Sequence, residues 1–115
     1  MLPWQGEDFE YQYGKIDYQG KIVIDIGAEY GSTASFFVSK GAKQVIAIEG
    51  SCRFTRNLWR NSRLLKNVIP KSLWITQPIH IAELISEYKP DVIKMDCEGC
   101  ETHLVKVPKD RKSVV

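Results

Sequence analysis

Residues 22–31 read Ile-Val-Ile-Asp-Ile-Gly-Ala-Glu-Tyr-Gly, an apolar run that carries one aspartate and breaks into a glycine turn. A run without polar alternation belongs to a strand buried on both faces, as in parallel sheets covered by helices. A second such run, Val45-Ile46-Ala47-Ile48, ends on Glu49. Between them Ser32 is placed to cap a helix, Ala34, Phe37 and Val38 supply its buried stripe, and Gly41 suits a left-handed stop. Ser51 caps a longer helix, with Phe54, Leu58, Ser62 and Leu65 on one face and Arg53, Arg56, Arg60 and Arg63 on another.

Val68-Ile69 and Leu73-Trp74-Ile75 are strand-like but flank Pro70, which donates no ladder bond, so the third strand is expected at a sheet edge. Ile81, Leu84, Ile85 and Tyr88 mark a third helix that stops at Lys89-Pro90, and Asp91 to Asp96 reads as a fourth strand. Strands alternating with helices over short connections imply right-handed crossovers. The expected fold class is α/β, a Rossmann-like three-layer sandwich with a reduced, mostly parallel sheet in the order 3-2-1-4. The 115 residues make one domain: an aromatic lead-in over 1–20, a core over 21–105 and a solvated tail over 106–115.

No apolar stretch approaches the roughly 20 residues of a membrane span, and the N-terminus lacks a basic start followed by an apolar core. Three cysteines, Cys52, Cys97 and Cys100, fit reduced thiols better than a disulfide framework. The expectation is a cytoplasmic protein with no membrane partner. A net charge of +2 gives no global argument for nucleic acid, and the arginine stripe reads first as a solvated face, so a nucleic-acid partner is not expected.

Ligands of such sheets bind beyond the C-terminal ends of the strands, at the switch between strands one and four. That edge collects Gly27 to Gly31, Glu49 and Asp96-Cys97-Glu98-Gly99. Glycines let backbone approach a ligand, and an acid at the tip of strand two can accept from two ribose hydroxyls. The bland alternative is a tight turn beside a solvated acid. Gly27-Ala28-Glu29-Tyr30-Gly31 is not the G-x-G-x-x-G of dinucleotide sites, and Glu29 stands where a pyrophosphate would want only donors. A sulfonium cofactor suits the loop better.

Val23-Ile24-Asp25-Ile26-Gly27-Ala28 with Gly31, then Ile46-Ala47-Ile48-Glu49, resembles the first two signature motifs of class I S-adenosylmethionine-dependent methyltransferases. Ile93-Lys94-Met95-Asp96-Cys97-Glu98-Gly99-Cys100-Glu101 is similar to the signature of the FkbM family within that class. The resemblance runs from about Gly20 to Glu101 and includes Asn57 and Asn61. It implies S-adenosylmethionine as cofactor, with Gly27, Ala28, Glu29 and Gly31 around its methionine part, Glu49 on its ribose and Asp25 orienting the loop. It further implies methyl transfer to a hydroxyl of a small molecule or sugar. The shorter C-terminal part predicts weak turnover, and the alternatives are a non-catalytic cofactor-binding or assembly module and an RNA-associated methyltransferase or accessory subunit.

Asp96, Glu98 and Glu101 are the candidate catalytic carboxylates, Asp96 foremost, as general base or hydroxyl orienter. Equally, they could serve to satisfy Lys94, which sits in an apolar strand and needs a partner. Cys97-x-x-Cys100 with His103 has the elements of a metal or redox site, but the cysteines fill the variable positions of the FkbM-like signature, and buried packing is the expectation, with no metal. The open edge of strand four suggests a homodimer.

Overall fold

The computed structural model describes Phe9, residues 13–96 and the pair Ser113–Val114. Strands β1 (Ile22–Ile26), β2 (Gln44–Glu49), β3 (Val68–Ser72) and β4 (Val92–Met95) alternate with helices α1 (Ser32–Ser39), α2 (Cys52–Ser62) and α3 (Pro78–Tyr88), and β5 (Ser113–Val114) follows. The sheet runs β3-β2-β1-β4-β5 with every pairing parallel. The expected α/β architecture and the order 3-2-1-4 are therefore present, with β3 at the edge and Pro70 beside Ala47.

Alternation along the central strands sorts two cores. Val23, Val45, Ala47, Val68 and Val92 point to one side, where they meet Phe36 and Phe37 of α1, Leu58 of α2, and Phe9 and Tyr18 of the lead-in. Ile24, Ile26, Ile46, Ile48 and Ile93 point to the other side, against Ile81 and Leu84 of α3. Small strand residues thus face bulky aromatics, and long branched ones face aliphatic residues, which keeps both layers filled. The first two crossovers place their helices on one side. The third returns across β1 to β4 and puts α3 on the opposite side, which creates the switch point.

Helix ends follow local chemistry. Ser51 caps α2 as expected, its Oγ accepting from the Arg53 N–H at 3.2 Å. Gly41, at φ 91°, closes α1: its N–H donates to Val38 O and the Ala42 N–H to Phe37 O, the paired bonds of a Schellman stop. Ser32 does not cap α1; it is the first helical residue, and Gly31 precedes it at φ 99° with no side-chain cap. The glycine loop, rather than a hydroxyl, delivers the chain into this helix.

Two further expectations meet the structure differently. The aromatic lead-in is ordered where described: Phe9 packs edge-on to Phe36, Tyr13 to Phe37, and Tyr18 lies 4.9 Å from the Phe37 ring. The last residues, read from sequence as tail, include β5, which pairs Ser113 with Val92 and Val114 with Ile93. The premise of an open β4 edge, on which a homodimer was expected, is therefore corrected at those two residues: the same chain supplies their neighbouring strand.

Phe37 is fully buried at the centre of the aromatic cluster. Phe37→Ala removes that ring, and chemical denaturation should show a loss of about 3–5 kcal/mol. A loss below about 1 kcal/mol would mean that the lead-in does not pack on α1.

Candidate cofactor-binding site

The C-terminal ends of β1, β2 and β4 converge on the glycine loop, residues 27–31. Gly27 sits at φ 84° and both it and Ala28 donate their N–H groups to Ile48 O, at 2.9 and 3.0 Å. The loop is thus stitched to the tip of β2 before it turns. Glu29 adopts φ 50°, an uncommon conformation for a side chain of its size, and its N–H donates to Glu49 Oε1 at 2.8 Å. From the other side, Asn61 Nδ2 of α2 donates to Tyr30 O at 2.8 Å. Glycine at 31 has a packing reason as well as a conformational one: a Cβ there would press on Leu58 at 3.3 Å.

Glu49 is 7% exposed, and its second oxygen accepts from the Ser51 N–H at 2.9 Å. Each carboxylate oxygen therefore binds one backbone donor and keeps a further lone pair for a ligand hydroxyl. Gly50 follows, and the Trp74 indole lies so close over it that any Cβ would collide with the ring. Trp74 remains 63% exposed, a flat apolar face beyond β3. The sequence reading passed over this pairing; its available signal was a glycine directly after the strand-end acid.

A cavity of about 280 Å³ opens between these groups, lined by Glu29, Glu49, Phe54, Trp74, Ile75 and Asp96 among others. Among the described residues its lining holds three carboxylates and no basic residue. A larger cavity of about 470 Å³ adjoins it, sharing Gly27, Glu29 and Asp96, and extends past Phe9, Tyr30, Thr33 and Asn57 to Arg60, with Lys94 in its wall. Asp96 is exposed at the rim common to both, anchored by its N–H to Ile26 O at 3.0 Å.

Beneath the loop lies a buried ion pair. The parallel register sets Asp25 beside Lys94, and Lys94 Nζ stands 3.0 Å from Asp25 Oδ1, both side chains almost wholly buried. This is an ionic contact rather than an aligned hydrogen bond, so the ammonium is what meets Oδ1. Asp25 Oδ2 accepts from the Thr33 hydroxyl at 2.6 Å, and Lys94 Nζ donates to Ile26 O at 3.3 Å and Gly27 O at 3.1 Å. Burial is the largest single influence on the Lys94 pKa and lowers it, but the charge and close polar contact of Asp25, with smaller help from Tyr13 and Asp96, together outweigh it, and the net shift is upward. Asp25 is thus the direct counterion of Lys94, with Asp96 adding a weaker favourable charge. Glu98, Glu101, Cys97, Cys100 and His103 lie outside the described residues. Among the described residues no group of His, Cys, Asp and Glu could hold a metal, and Cys52 is exposed.

No protein-family profile matches the chain. It is 34% identical over 98 residues to uncharacterized protein 65 of a Sulfolobus islandicus filamentous virus, covering 84% of this chain and 58% of that protein. It is 32% identical over 102 residues to uncharacterized protein 158B of Sulfolobus islandicus rod-shaped virus 1, covering 84% and 59%. The chain thus spans somewhat over half the length of these relatives. Among solved structures, the C-terminal domain of a Rhodobacter capsulatus precorrin-6Y C5,15-methyltransferase superposes with TM-score 0.61 and 19% identity, over 76% of this chain and 46% of that one. PRMT6 with S-adenosylhomocysteine gives 0.64 and 15%, over 85% and 38%. Aeropyrum pernix fibrillarin with natively bound S-adenosylmethionine gives 0.54 and 20%, over 73% and 36%. The chain has the Rossmann-like fold of class I S-adenosylmethionine-dependent methyltransferases, and among the described residues no helix is long and apolar enough to cross a membrane.

Lys94→Met leaves the Asp25 charge buried without its counterion and should cost about 3–5 kcal/mol in chemical denaturation, part of it recovered by adding Asp25→Asn. Because the folded-state pKa of Lys94 is raised, its contribution is complete below the ordinary lysine value of 10.5 and disappears as pH rises through the folded value. Wild type should therefore lose more stability than Lys94→Met when both are taken to strongly alkaline pH. Equal pH dependence in the two would show that the pair contributes nothing.

Proposed function

We propose that this chain binds S-adenosylmethionine in the smaller cavity and belongs to an enzyme that transfers its methyl group to a hydroxyl. The observation that carries the reading is the cavity's charge: Glu29, Glu49 and Asp96 with no base among the described residues that line it. A dinucleotide pyrophosphate would be repelled there, whereas a ligand carrying a sulfonium and an ammonium is drawn in. The chain's own groups fit that ligand piece by piece. Glu49 has lone pairs left for two ribose hydroxyls, and Trp74 with Phe54 and Ile75 offers an apolar slot for a purine ring. The loop held by Asn61 and Lys94 would lie along the methionine part.

Bound there, the cofactor supplies an electrophilic methyl group. Asp96 stands where both cavities meet, so an acceptor hydroxyl in the larger one can donate to its carboxylate while its oxygen is aimed at the smaller. The proton would pass to Asp96 or through it to solvent as the oxygen–methyl bond forms and the sulfur–methyl bond breaks, its electron pair staying on sulfur in a neutral thioether. Glu98 and Glu101, which complete the FkbM-like signature, are proposed as further catalytic carboxylates. A small molecule or sugar is the proposed acceptor class; a non-catalytic cofactor-binding module is the outcome if ligand binds and no acceptor is methylated.

Titration calorimetry with S-adenosylhomocysteine tests the cofactor assignment. Wild type should bind, and Glu49→Gln, which keeps one acceptor oxygen for the loop but loses the charge, should weaken binding by about tenfold or more, in line with about 1.5–3 kcal/mol for a charged hydrogen bond. Equal affinity in a variant that melts like wild type would take Glu49 out of the site.

A further inference from the structure

Charge is distributed unevenly along this chain. Residues 52–67 hold five of the sixteen basic residues and none of the fourteen acidic ones, so the remainder is net acidic although the whole carries +2. Most of that concentration lies on α2. Arg53, Arg56, Arg60 and Arg63 all project within an arc of roughly 80° at 3.6 residues per turn, over about 15 Å of helix axis. All four are exposed, and among the described residues none forms an ion pair. A surface helix that merely solvates itself normally intersperses acids at i, i+4, and α2 has none.

We infer that the arginine face of α2 is a docking surface for a single strand of nucleic acid, which it holds by its phosphates. Four unopposed guanidiniums in a row several phosphate spacings long complement such a backbone and release its counterions. Trp59, 49% exposed, borders the stripe on the same helix and offers a ring for a base to stack on. Lipid is a poor occupant, because the apolar side of α2 is already spent: Leu58 and Ser62 are buried in the fold. The stripe is also continuous with the larger cavity, which Arg60 lines together with Asn57 and Asn61. This goes beyond the cofactor reading and rests on the helix's charge alone.

Fluorescence anisotropy with a labelled oligouridine, measured across a range of salt concentrations, provides the test. Wild type should bind with a log–log salt slope of about −2.8 if four phosphates are neutralised, and Arg56→Gln/Arg63→Gln should halve that slope and weaken low-salt binding by about tenfold or more. Arg56→Lys/Arg63→Lys should retain most of the slope. Neither altered residue lines either of the two cavities at the strand ends, so the Gln variant should bind S-adenosylhomocysteine and melt as wild type does. Absence of binding at low salt, an unchanged slope in the Gln variant, or equally tight binding of polyglutamate would each overturn the inference. Oligouridine binding without S-adenosylhomocysteine binding would uphold it and remove the cofactor reading instead.

Discussion

The buried pair of Asp25 and Lys94 is the constraint around which the ligand end of this fold is arranged. Both charges are out of water, so each must be met at close range or neutralise. Asp25 meets Lys94 across the β1–β4 ladder and Thr33 at the start of α1. Lys94 in turn draws in the carbonyls of Ile26 and Gly27. β4 is thereby fixed at one point to the continuous run of β1, the glycine loop and α1, some sixty residues before it in the chain. The loop can then leave β1 at positive φ, with Gly27 and Ala28 held on Ile48, and still present the same backbone to the cavity.

Geometry above that pair follows from the switch point. Because β3 is followed by a return across the sheet, the chain leaves β1 toward β2 while β4 lies on the other side of β1, and the cavities lie at the ends of these strands. Side-chain alternation then decides what fills it. Lys94 shares the parity of Val92 and turns toward the aromatic core, whereas Asp96 stands past the end of β4 and reaches solvent at the rim. The same strand thus contributes a buried structural charge and, two residues later, an exposed one available for chemistry.

Much of this was readable in the sequence because it depends on short-range pattern. Continuous apolar runs specified buried strands, Ser51 and Gly41 specified helix ends, and Pro70 specified an edge. What was missed depends on contacts between distant segments. The sequence shows that Lys94 needs a partner but not which one, and the parallel β1–β4 register puts it opposite Asp25. Ser32 was read as a cap because the motif is local, whereas the loop's tertiary anchoring to Ile48 and Asn61 brings Gly31 into that place. Gly50 under Trp74 and the two-residue β5 carry little sequence signal; one needs the fold of the β3–α3 connection, the other a partner strand.

The fold itself does not choose between ligands of this kind, since doubly wound sheets present the same crevice to dinucleotides and to sulfonium cofactors. Here the choice falls to side chains, and the sign of charge changes over a very short distance. Glu49 ends β2, Ser51 caps α2, and Arg53 already begins the basic stripe. The Glu49 carboxylate is turned inward by the N–H groups of Glu29 and Ser51, while the arginines, spaced by the helix, are turned out. Salt attenuates each field over about a Debye length, so with the two groups facing opposite ways each acts mainly on its own side. A cationic ligand is therefore favoured inside the smaller cavity and a polyanion along the outer helix, and one turn of chain, from strand tip to first helical residues, is enough to keep the two apart.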